Sequence, residues 1–255
     1  MKIRISFCTW ILAMTLTMTS CATSPTQNSD SYKDTTTSWE SRLTALFQET
    51  GKAGLTIEEL TFFGTPITSL LLEDAISITE QKGFAGAIQP QGDGFSYRAS
   101  SPDCLSPNIY LYQVDTNDFL TWISYTHVVP AGEFWGRNET EAPVWIGIRD
   151  IYTYDSLENV LSDLNYSNST EIATTIQEIL SLPSKEALSL LWQLPSYGFC
   201  CETSGESVDA KTDRLTEWRF SWTATDPQSQ KQYVVEFQYL VEDDCLTAVD
   251  IFTWD

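Results

Sequence analysis

The segment EWRFSWTATDPQSQKQYVVEFQYLVEDDCLTAVDIFTW, residues 217–254, decides the fold. It contains three runs rich in aromatic and β-branched residues: EWRFSWTAT, YVVEFQYLV and LTAVDIFTW. Such runs, bounded by polar clusters, are typical of β-strands. The links between them, DPQSQKQ and EDDC, are too short to carry a parallel crossover. The segment therefore predicts three strands in an antiparallel meander.

Similar runs lie nearer the start of the chain. Four runs between residues 84 and 129 predict strands: FAGAI, FSYRA, IYLYQV and FLTWISYTHVV. A fifth strand is predicted at VWIGIRDIY, residues 144–152. In IYLYQV, Tyr110 and Tyr112 alternate with Ile109 and Leu111, so the two pairs should face opposite sides of a sheet.

Segments with helical spacing stand before each group of strands. Five are predicted: residues 38–51 with Ser38 as N-cap, then 68–81, 156–164, 169–182 and 184–193. Strands in blocks, rather than alternating with helices, indicate an α+β fold. We expect antiparallel β-sheet regions with helices packed on one face. The order of helix and then strands occurs twice, in units 39–152 and 153–255, either separate or within one domain.

The first twenty residues have the pattern of an export signal. Lys2 and Arg4 precede an apolar run, residues 5–18. This run is shorter than the roughly 20 residues that span a membrane and fits the length of a secretory signal.

The apolar run ends in MTSC, residues 18–21. Small residues directly before a cysteine resemble the lipobox of bacterial lipoproteins, although Met18 stands where that family's pattern prefers Leu. The resemblance implies that a signal peptide, residues 1–20, is removed. It also implies that Cys21 is then lipidated with acyl chains such as palmitate.

The polar stretch that follows suits a connection between membrane and domain. Residues 22–38 carry no large aliphatic side chain, so they cannot form a core. Together with Cys21 they predict a lipidated, flexible tether over residues 21–38. We expect an exported protein that is anchored to a bacterial membrane, within the cell envelope, through the lipid on Cys21.

The charge balance restricts the partners. The chain has 35 acidic and 14 basic residues, and its formal net charge is −21 at pH 7. Nucleic-acid binding depends on Lys and Arg to neutralise phosphates, so no nucleic-acid partner is expected. This acidity indicates a soluble, self-repelling surface.

Four cysteines follow Cys21, at positions 104, 200, 201 and 245. An even number in an exported protein suggests disulfide bonds. A bond between the adjacent Cys200 and Cys201 would strain the peptide, which favours Cys245 bonded to one of them and Cys104 to the other. No pair has the CxxC spacing of a zinc site, and His127 is the only histidine. Neither a metal nor another cofactor is predicted.

The sequence contains no recognisable catalytic group. No GxSxG motif is present, and the glycines of QPQGDGFSY precede a strand rather than a helix. Whether the protein is an enzyme stays open, with a non-enzymatic role favoured.

The loop PAGEFWGRNETEAP is the best candidate for a binding site. Trp and Arg are favoured at binding hot spots, so Phe134, Trp135 and Arg137 form the predicted binding patch. Glu133 and Glu139 beside these aromatic residues suggest an alternative, a carbohydrate-binding or carbohydrate-active cleft.

The order of elements also resembles known binding proteins. In the second unit, a helix is followed by Leu194-Pro195 and then by a strand that carries tryptophan. This order resembles that of small envelope lipoproteins of the outer-membrane-assembly type. Gln193-Leu194 replaces the glycine that usually precedes the proline in that family. The tandem form resembles β-lactamase-inhibitor proteins. Both resemblances imply a module that binds another protein, here an envelope protein.

Overall fold

The structure, a computed structural model, describes residues 30–48, 53–100, 109–114, 120–126 and 146–254. It confirms the predicted α+β class with antiparallel sheets. The chain divides into two compact units, residues 1–39 and 40–255. The second unit contains all the strands that the structure describes.

Ten strands are found in the described residues. They are β1 (Thr61–Phe62), β2 (Thr65–Pro66), β3 (Ala85–Gln91), β4 (Gly94–Ser100), β5 (Ile109–Gln113), β6 (Trp122–Thr126), β7 (Glu202–Asp209), β8 (Arg214–Thr225), β9 (Gln232–Leu240) and β10 (Cys245–Trp254). Strands β1 and β2 form a small antiparallel pair, and the other eight form one sheet in the order β3-β4-β5-β6-β10-β9-β8-β7. Each predicted unit supplies four consecutive strands of this sheet, β3 to β6 and β7 to β10, and β6 pairs with β10.

Six α-helices are found in the described residues, and those that contact the sheet lie against one face of it. They are α1 (Asp30–Gln48), α2 (Leu72–Gln81), α3 (Leu157–Asp163), α4 (Ser169–Leu180), α5 (Ser184–Leu191) and α6 (Leu194–Tyr197). Helix α2 contacts β3 and β5, α5 contacts β8, and α4 packs against α3 and α5. The first backbone amide of α2, at Leu72, donates to the side-chain oxygen of Gln113 on β5 at 2.9 Å. This bond anchors the helix to the sheet.

A continuous buried row crosses the sheet beneath the helices. Strand register places six residues side by side from β4 to β8: Ala99, Ile109, Tyr125, Val249, Phe237 and Phe220. All six are at most 1% exposed. Because side chains alternate across a strand, the intervening residues point to the opposite face. The core therefore runs without a break through the contact between β6 and β10.

The meander at residues 217–254 is confirmed, because β8, β9 and β10 pair in sequence order with antiparallel register. The helix expected at 156–164 is also found, as α3. Its N-cap is Ser156, whose hydroxyl oxygen accepts from the Asn159 amide at 3.3 Å. A serine in this position satisfies one of the unpaired amides at a helix start.

The strand predicted at VWIGIRDIY is wrong in the part that the structure describes, residues 146–152. Only isolated bridge positions are found there, at Ile148, which pairs with Leu60, and at Tyr152. Gly147 and Arg149 have φ angles of +78° and +45°, which an extended strand cannot accommodate. A Cβ on Gly147 would lie 2.2 Å from the Thr61 carbonyl oxygen, so this close approach requires glycine.

Three other boundaries differ from the predictions. The backbone of α1 is helical from Asp30, so Ser38 lies within the helix rather than at its N-cap. Helix α5 is capped by Pro183 and ends at Leu191, two residues before the predicted end, and its first residue, Ser184, donates its hydroxyl to Asp213 at 2.6 Å. Strand β7 is not among the predicted strands, because its sequence ETSGESVD is polar and lies at the edge of the sheet. Edge strands have less apolar surface to bury and so give a weak pattern.

Within the described part of the chain, no helix combines the length and apolar character needed to cross a membrane.

Candidate functional site

The face of the sheet opposite the helices carries a cluster of aromatic side chains. We call Arg98, Tyr110, Trp122 and Phe252 the aromatic patch. These residues come from four neighbouring strands, β4, β5, β6 and β10. Register pairs Arg98 with Tyr110 and Trp122 with Phe252. The sheet thus brings together side chains that lie up to 154 positions apart in the sequence.

Ring geometry makes the patch one contiguous surface. The Tyr110 and Trp122 rings meet edge to face, with centroids 5.4 Å apart, and the Trp122 and Phe252 centroids are 6.3 Å apart. The Arg98 guanidinium lies 5.4 Å from the centroid of the Tyr110 ring, within the range of a cation–π contact. Trp122 is 41% exposed. Large exposed aromatic side chains of this kind are common at interaction sites.

A set of charged residues borders the patch on the same face. Asp250 on β10 is 8% exposed. It accepts hydrogen bonds from Trp122 Nε1 at 3.3 Å and from Gln238 Nε2 at 2.9 Å. These bonds fix the Trp122 indole against the carboxylate, so the ring has a defined orientation before any ligand arrives. Preorganisation of this kind reduces the entropy lost on binding.

Arg219 on β8 links two further carboxylates on this face. Its Nε lies 2.5 Å from Glu217, and its Nη1 lies 3.9 Å from Glu236. Burial by itself lowers the pKa of Arg219, but the hydrogen bond to Glu217 and the nearby carboxylates raise it above its usual value. Three carboxylates, those of Glu217, Glu236 and Asp250, thus share one neighbouring guanidinium. This part of the face has an excess of negative charge.

A second chemical cluster lies on the helical side, where Cys200 and Cys201 follow α6. Their sulfur atoms are 3.9 Å apart. The Tyr166 oxygen lies 2.7 Å from the Cys200 sulfur and accepts a hydrogen bond from the Cys200 backbone amide at 2.9 Å. Cys201 is fully buried and Cys200 is half-buried. Hydrogen bonding from Cys201 and then Tyr166 outweighs burial and lowers the pKa of Cys200 to about 7.

The predicted site residues are only partly covered by the structure. Cys21, Cys104 and the predicted binding patch of Phe134, Trp135 and Arg137 lie outside the described residues, as does His127. Glu133 and Glu139 lie outside them too. These predictions therefore stay predictions.

The other three cysteines of the predicted disulfides are described. Cys200 and Cys201 lie together, and Cys245 is the first residue of β10. No two of these three are at disulfide distance in the structure. Any bond to Cys104 involves a residue outside the described part, so the pairing is still a prediction.

Sequence reasoning did not find the aromatic patch. The alternation of Tyr110 and Tyr112 with apolar residues indicated a second sheet face, but nothing local places Trp122 beside Asp250, 128 residues away. Tyr166 was missed for the same reason, because it lies in the link between α3 and α4, 34 residues before Cys200.

Among the described residues, no group of three or more His, Cys, Asp or Glu side chains is arranged to hold a metal ion. A concavity of about 800 Å³ lies between α4 and the turns that join β7 to β8 and β9 to β10, and its lining includes Asp209, Arg214, Glu242 and Asp244. Asp244 has a structural role there, since its Oδ1 accepts from the Tyr239 hydroxyl at 2.7 Å and the Leu157 amide at 3.2 Å.

Comparison of the chain with protein-family models, with curated proteins and with solved structures gave no match.

Proposed function

We propose that this protein is a lipid-anchored component of a bacterial cell envelope and that one face of its sheet is a non-enzymatic binding surface for another protein. The lipid on Cys21 would hold it at the membrane. The aromatic patch is the observation that carries the binding proposal. It combines an exposed tryptophan, a tyrosine and an arginine, the residue types most favoured at hot spots, on a sheet that fixes their positions.

The charge of the protein indicates the chemistry of the partner. The formal net charge of the chain is −21, and the carboxylates of Glu217, Glu236 and Asp250 lie on the same face as the patch. A partner with a basic rim around an apolar centre would complement this face. The proposed partner is therefore an envelope protein with Lys or Arg near an apolar contact surface.

The proposed surface extends the one predicted from the loop. Residues 127–145, which include Phe134, Trp135 and Arg137, follow directly on β6, the strand that carries Trp122. We propose that both sets of residues contribute to one binding surface. This assignment is testable, because either set can be altered alone.

Site-specific cross-linking in the native envelope tests the proposal. A photoreactive residue at position 110 should capture one protein reproducibly. Trp122→Ala should reduce the yield at least tenfold, because a hot-spot truncation is worth about 2 kcal/mol or more. Trp192→Ala is the matched control, because Trp192 is 57% exposed at the end of α5, on the helical side of the sheet. It should leave the yield unchanged.

The chemistry of the partner is tested in the same cells. Glu236→Gln should reduce capture, and raised ionic strength should weaken it further, because exposed charge pairs are screened. Trp135→Ala should also reduce capture if the loop shares the surface. Equal yields from the parent, Trp122→Ala and Trp192→Ala chains would refute binding through this face. Cys21→Ala should abolish membrane attachment and leave the folded part unchanged.

A carbohydrate ligand is the second candidate. Trp122 beside the Asp250 carboxylate offers a ring face and a hydrogen-bond acceptor, which suit a sugar. Binding of envelope glycans would quench the fluorescence of Trp122, and Trp122→Phe would remove that part of the signal. Saturable quenching by a glycan, together with no protein cross-link from position 110, would replace the first proposal with this one.

A further inference from the structure

The adjacent thiols of Cys200 and Cys201 lie in an arrangement that neither membrane anchoring nor binding through the sheet requires. They lie on the helical side of the sheet, opposite the aromatic patch. Phe199, immediately before them, is 3% exposed and stacks on Tyr166 with centroids 5.5 Å apart. The pair is thus attached to the core through a rigid aromatic contact, and Tyr166 is held in place beside it.

Tyr166 is oriented to act on the Cys200 sulfur. Its oxygen accepts the Cys200 backbone amide at 2.9 Å and lies 2.7 Å from the Cys200 sulfur, so its hydroxyl is placed to donate to that sulfur. Burial, and then the neighbouring cysteines, raise the pKa of Tyr166 far above its usual value, so the phenol stays protonated. A hydrogen-bond donor fixed at a sulfur stabilises its thiolate form.

The two thiols differ in access. Cys200 is half-buried, whereas Cys201 is fully buried and its pKa is raised by the hydrogen bond to Cys200 and by burial. Gly54 borders the Cys200 sulfur, because a Cβ added there would lie 3.6 Å from it. The more accessible thiol is therefore also the one with the lowered pKa, and its neighbour, whose pKa is raised, is a protonated reserve 3.9 Å away.

We infer that Cys200 and Cys201 form a thiol–disulfide exchange site, in which Cys200 attacks an external disulfide and Cys201 resolves the product. The substrate class is a small or exposed disulfide, RS–SR. The Cys200 thiolate attacks one sulfur, the S–S bond breaks, and RS⁻ leaves with the electron pair and takes a proton from solvent. Cys201 then loses its proton to solvent and attacks Cys200, which releases the second RS⁻.

In this exchange, the external disulfide is reduced to two thiols, and the two protein thiols are oxidised to one disulfide. The product bond between adjacent residues is strained. Consecutive Cα atoms are about 3.8 Å apart across a trans peptide, whereas disulfides usually join Cα atoms roughly 4.4–6.8 Å apart. Strained disulfides are easily reduced, so the oxidised pair returns readily to thiols. The site is therefore reversible, unlike a structural cross-link.

Peptide mapping after reaction with glutathione disulfide tests the inference on the full chain. Trypsin cleaves after Lys185 and Lys211, so one peptide, residues 186–211, contains both thiols. Cys104 and Cys245 fall in separate peptides, residues 99–137 and 232–255. The expected product is the 186–211 peptide lighter by two hydrogens, with neither thiol open to alkylation. Dithiothreitol should restore both thiols.

Variants separate the two roles. Cys201→Ser should stop the reaction at a stable glutathione adduct on Cys200, and Cys200→Ser should prevent it. Tyr166→Phe keeps the stacked ring and removes the donor, so the rate at neutral pH should fall roughly three- to tenfold, because each unit of pKa changes the thiolate fraction up to tenfold. Cys245→Ser is the matched control and should leave the rate unchanged.

Three results would overturn the inference, and all three are measured on the parent chain, so none requires a variant to fold. The first is a cross-link between the 186–211 peptide and either the 99–137 or the 232–255 peptide in the parent chain. The second is a glutathione adduct on Cys200 that persists in the parent chain. The third is reaction at Cys200 no faster than that of free cysteine at the same pH.

Discussion

Replacement of Arg149 by methionine tests how the first and second halves of the fold are held together. The Arg149 side chain is 19% exposed, and its Nε lies 2.7 Å from the Glu59 carboxylate. Its Nη atoms donate to the backbone carbonyls of Asp163 and, at 3.1 Å, of Gly54. With its amide oxygen turned inward, Asn165 accepts from both Nη atoms at 2.8 Å. Methionine keeps much of the apolar stem and removes all these donors.

The expected loss follows from these contacts. A hydrogen bond to a charged group contributes about 1.5–3 kcal/mol, and loss of one member of a buried ion pair costs about 3–5 kcal/mol. Water can reach part of this site, since Glu59 is 30% exposed, and the bonds form one network, so the losses of the separate hydrogen bonds do not add in full. We therefore expect Arg149→Met to lower the free energy of unfolding by about 3–5 kcal/mol at pH 7, the range given for a buried pair. That is a large part of the roughly 5–15 kcal/mol typical of a domain.

Urea unfolding followed by tryptophan fluorescence gives the measurement. With a slope of about 2 kcal/mol per M, the midpoint should fall by roughly 1.5–2.5 M. Arg42→Met is the matched control. Arg42 pairs with Glu178, but their side chains are 43% and 48% exposed, and exposed pairs contribute only about 0–1 kcal/mol. A loss for Arg149→Met no larger than that for Arg42→Met would refute the reasoning.

The pH dependence gives an independent check. Burial alone raises the pKa of Glu59, but the hydrogen bonds from Arg149 and Thr56 outweigh it and hold the pKa below its ordinary 4.5. A lowered native pKa stabilises the fold above the unfolded value, and this stabilisation is lost as pH falls through the native pKa. The difference between parent and Arg149→Met should therefore be largest at neutral pH and narrow below about pH 4.5. A difference that is constant with pH would contradict the pairing.

Substitutions at Gly147, Trp218 and Ser156 test other parts of the fold by the same unfolding assay. Gly147→Ala should destabilise more than Gly64→Ala by at least ~1 kcal/mol, because both positions have positive φ but only the first meets a carbonyl, at 2.2 Å; equal losses would contradict this. Trp218→Ala should cost about 3–5 kcal/mol, since its ring is fully buried, and a loss under ~1 kcal/mol would disprove its place in the core. Ser156→Ala should cost about 1 kcal/mol through the lost cap, whereas Ser156→Gly should cost less, and the opposite order would argue against capping.

The parts of the fold that the sequence predicts are those set by local patterns. The runs at residues 217–254 alternate over full strand lengths and have short links, so both their type and their pairing follow from adjacent residues. Ser156 is followed directly by a helical pattern, so its cap is predictable as well. The edge strand β7 has no apolar alternation and is held by pairing to β8. Its structure depends on a neighbour rather than on its own residues.

The elements that local patterns do not predict depend on distant contacts. VWIGIRDIY has the composition of a strand, yet the positive φ of Arg149 directs its guanidinium to Glu59, 90 positions earlier. The ion pair and hydrogen bonds that this conformation allows outweigh the local preference for extended backbone. The aromatic patch also depends on a distant contact, since Trp122 meets Asp250 only because β6 pairs with β10. A local pattern can show that a residue faces outward, but it cannot show what lies next to it.

The pairing of β6 with β10 also bears on whether the two predicted units are separate domains. Strand β6 of the first unit meets strand β10 of the second at this contact, and register pairs Ile251 with Ile123 and Val249 with Tyr125, all at most 2% exposed. Separation would leave both central strands as edges and expose the middle of the buried row. Long apolar edges of this kind are prone to aggregate, so we expect neither half to be stable on its own. The aromatic patch also spans this contact, with Trp122 on one side and Phe252 on the other. The contact that joins the two halves into one folding unit is therefore also the one that creates the proposed binding surface.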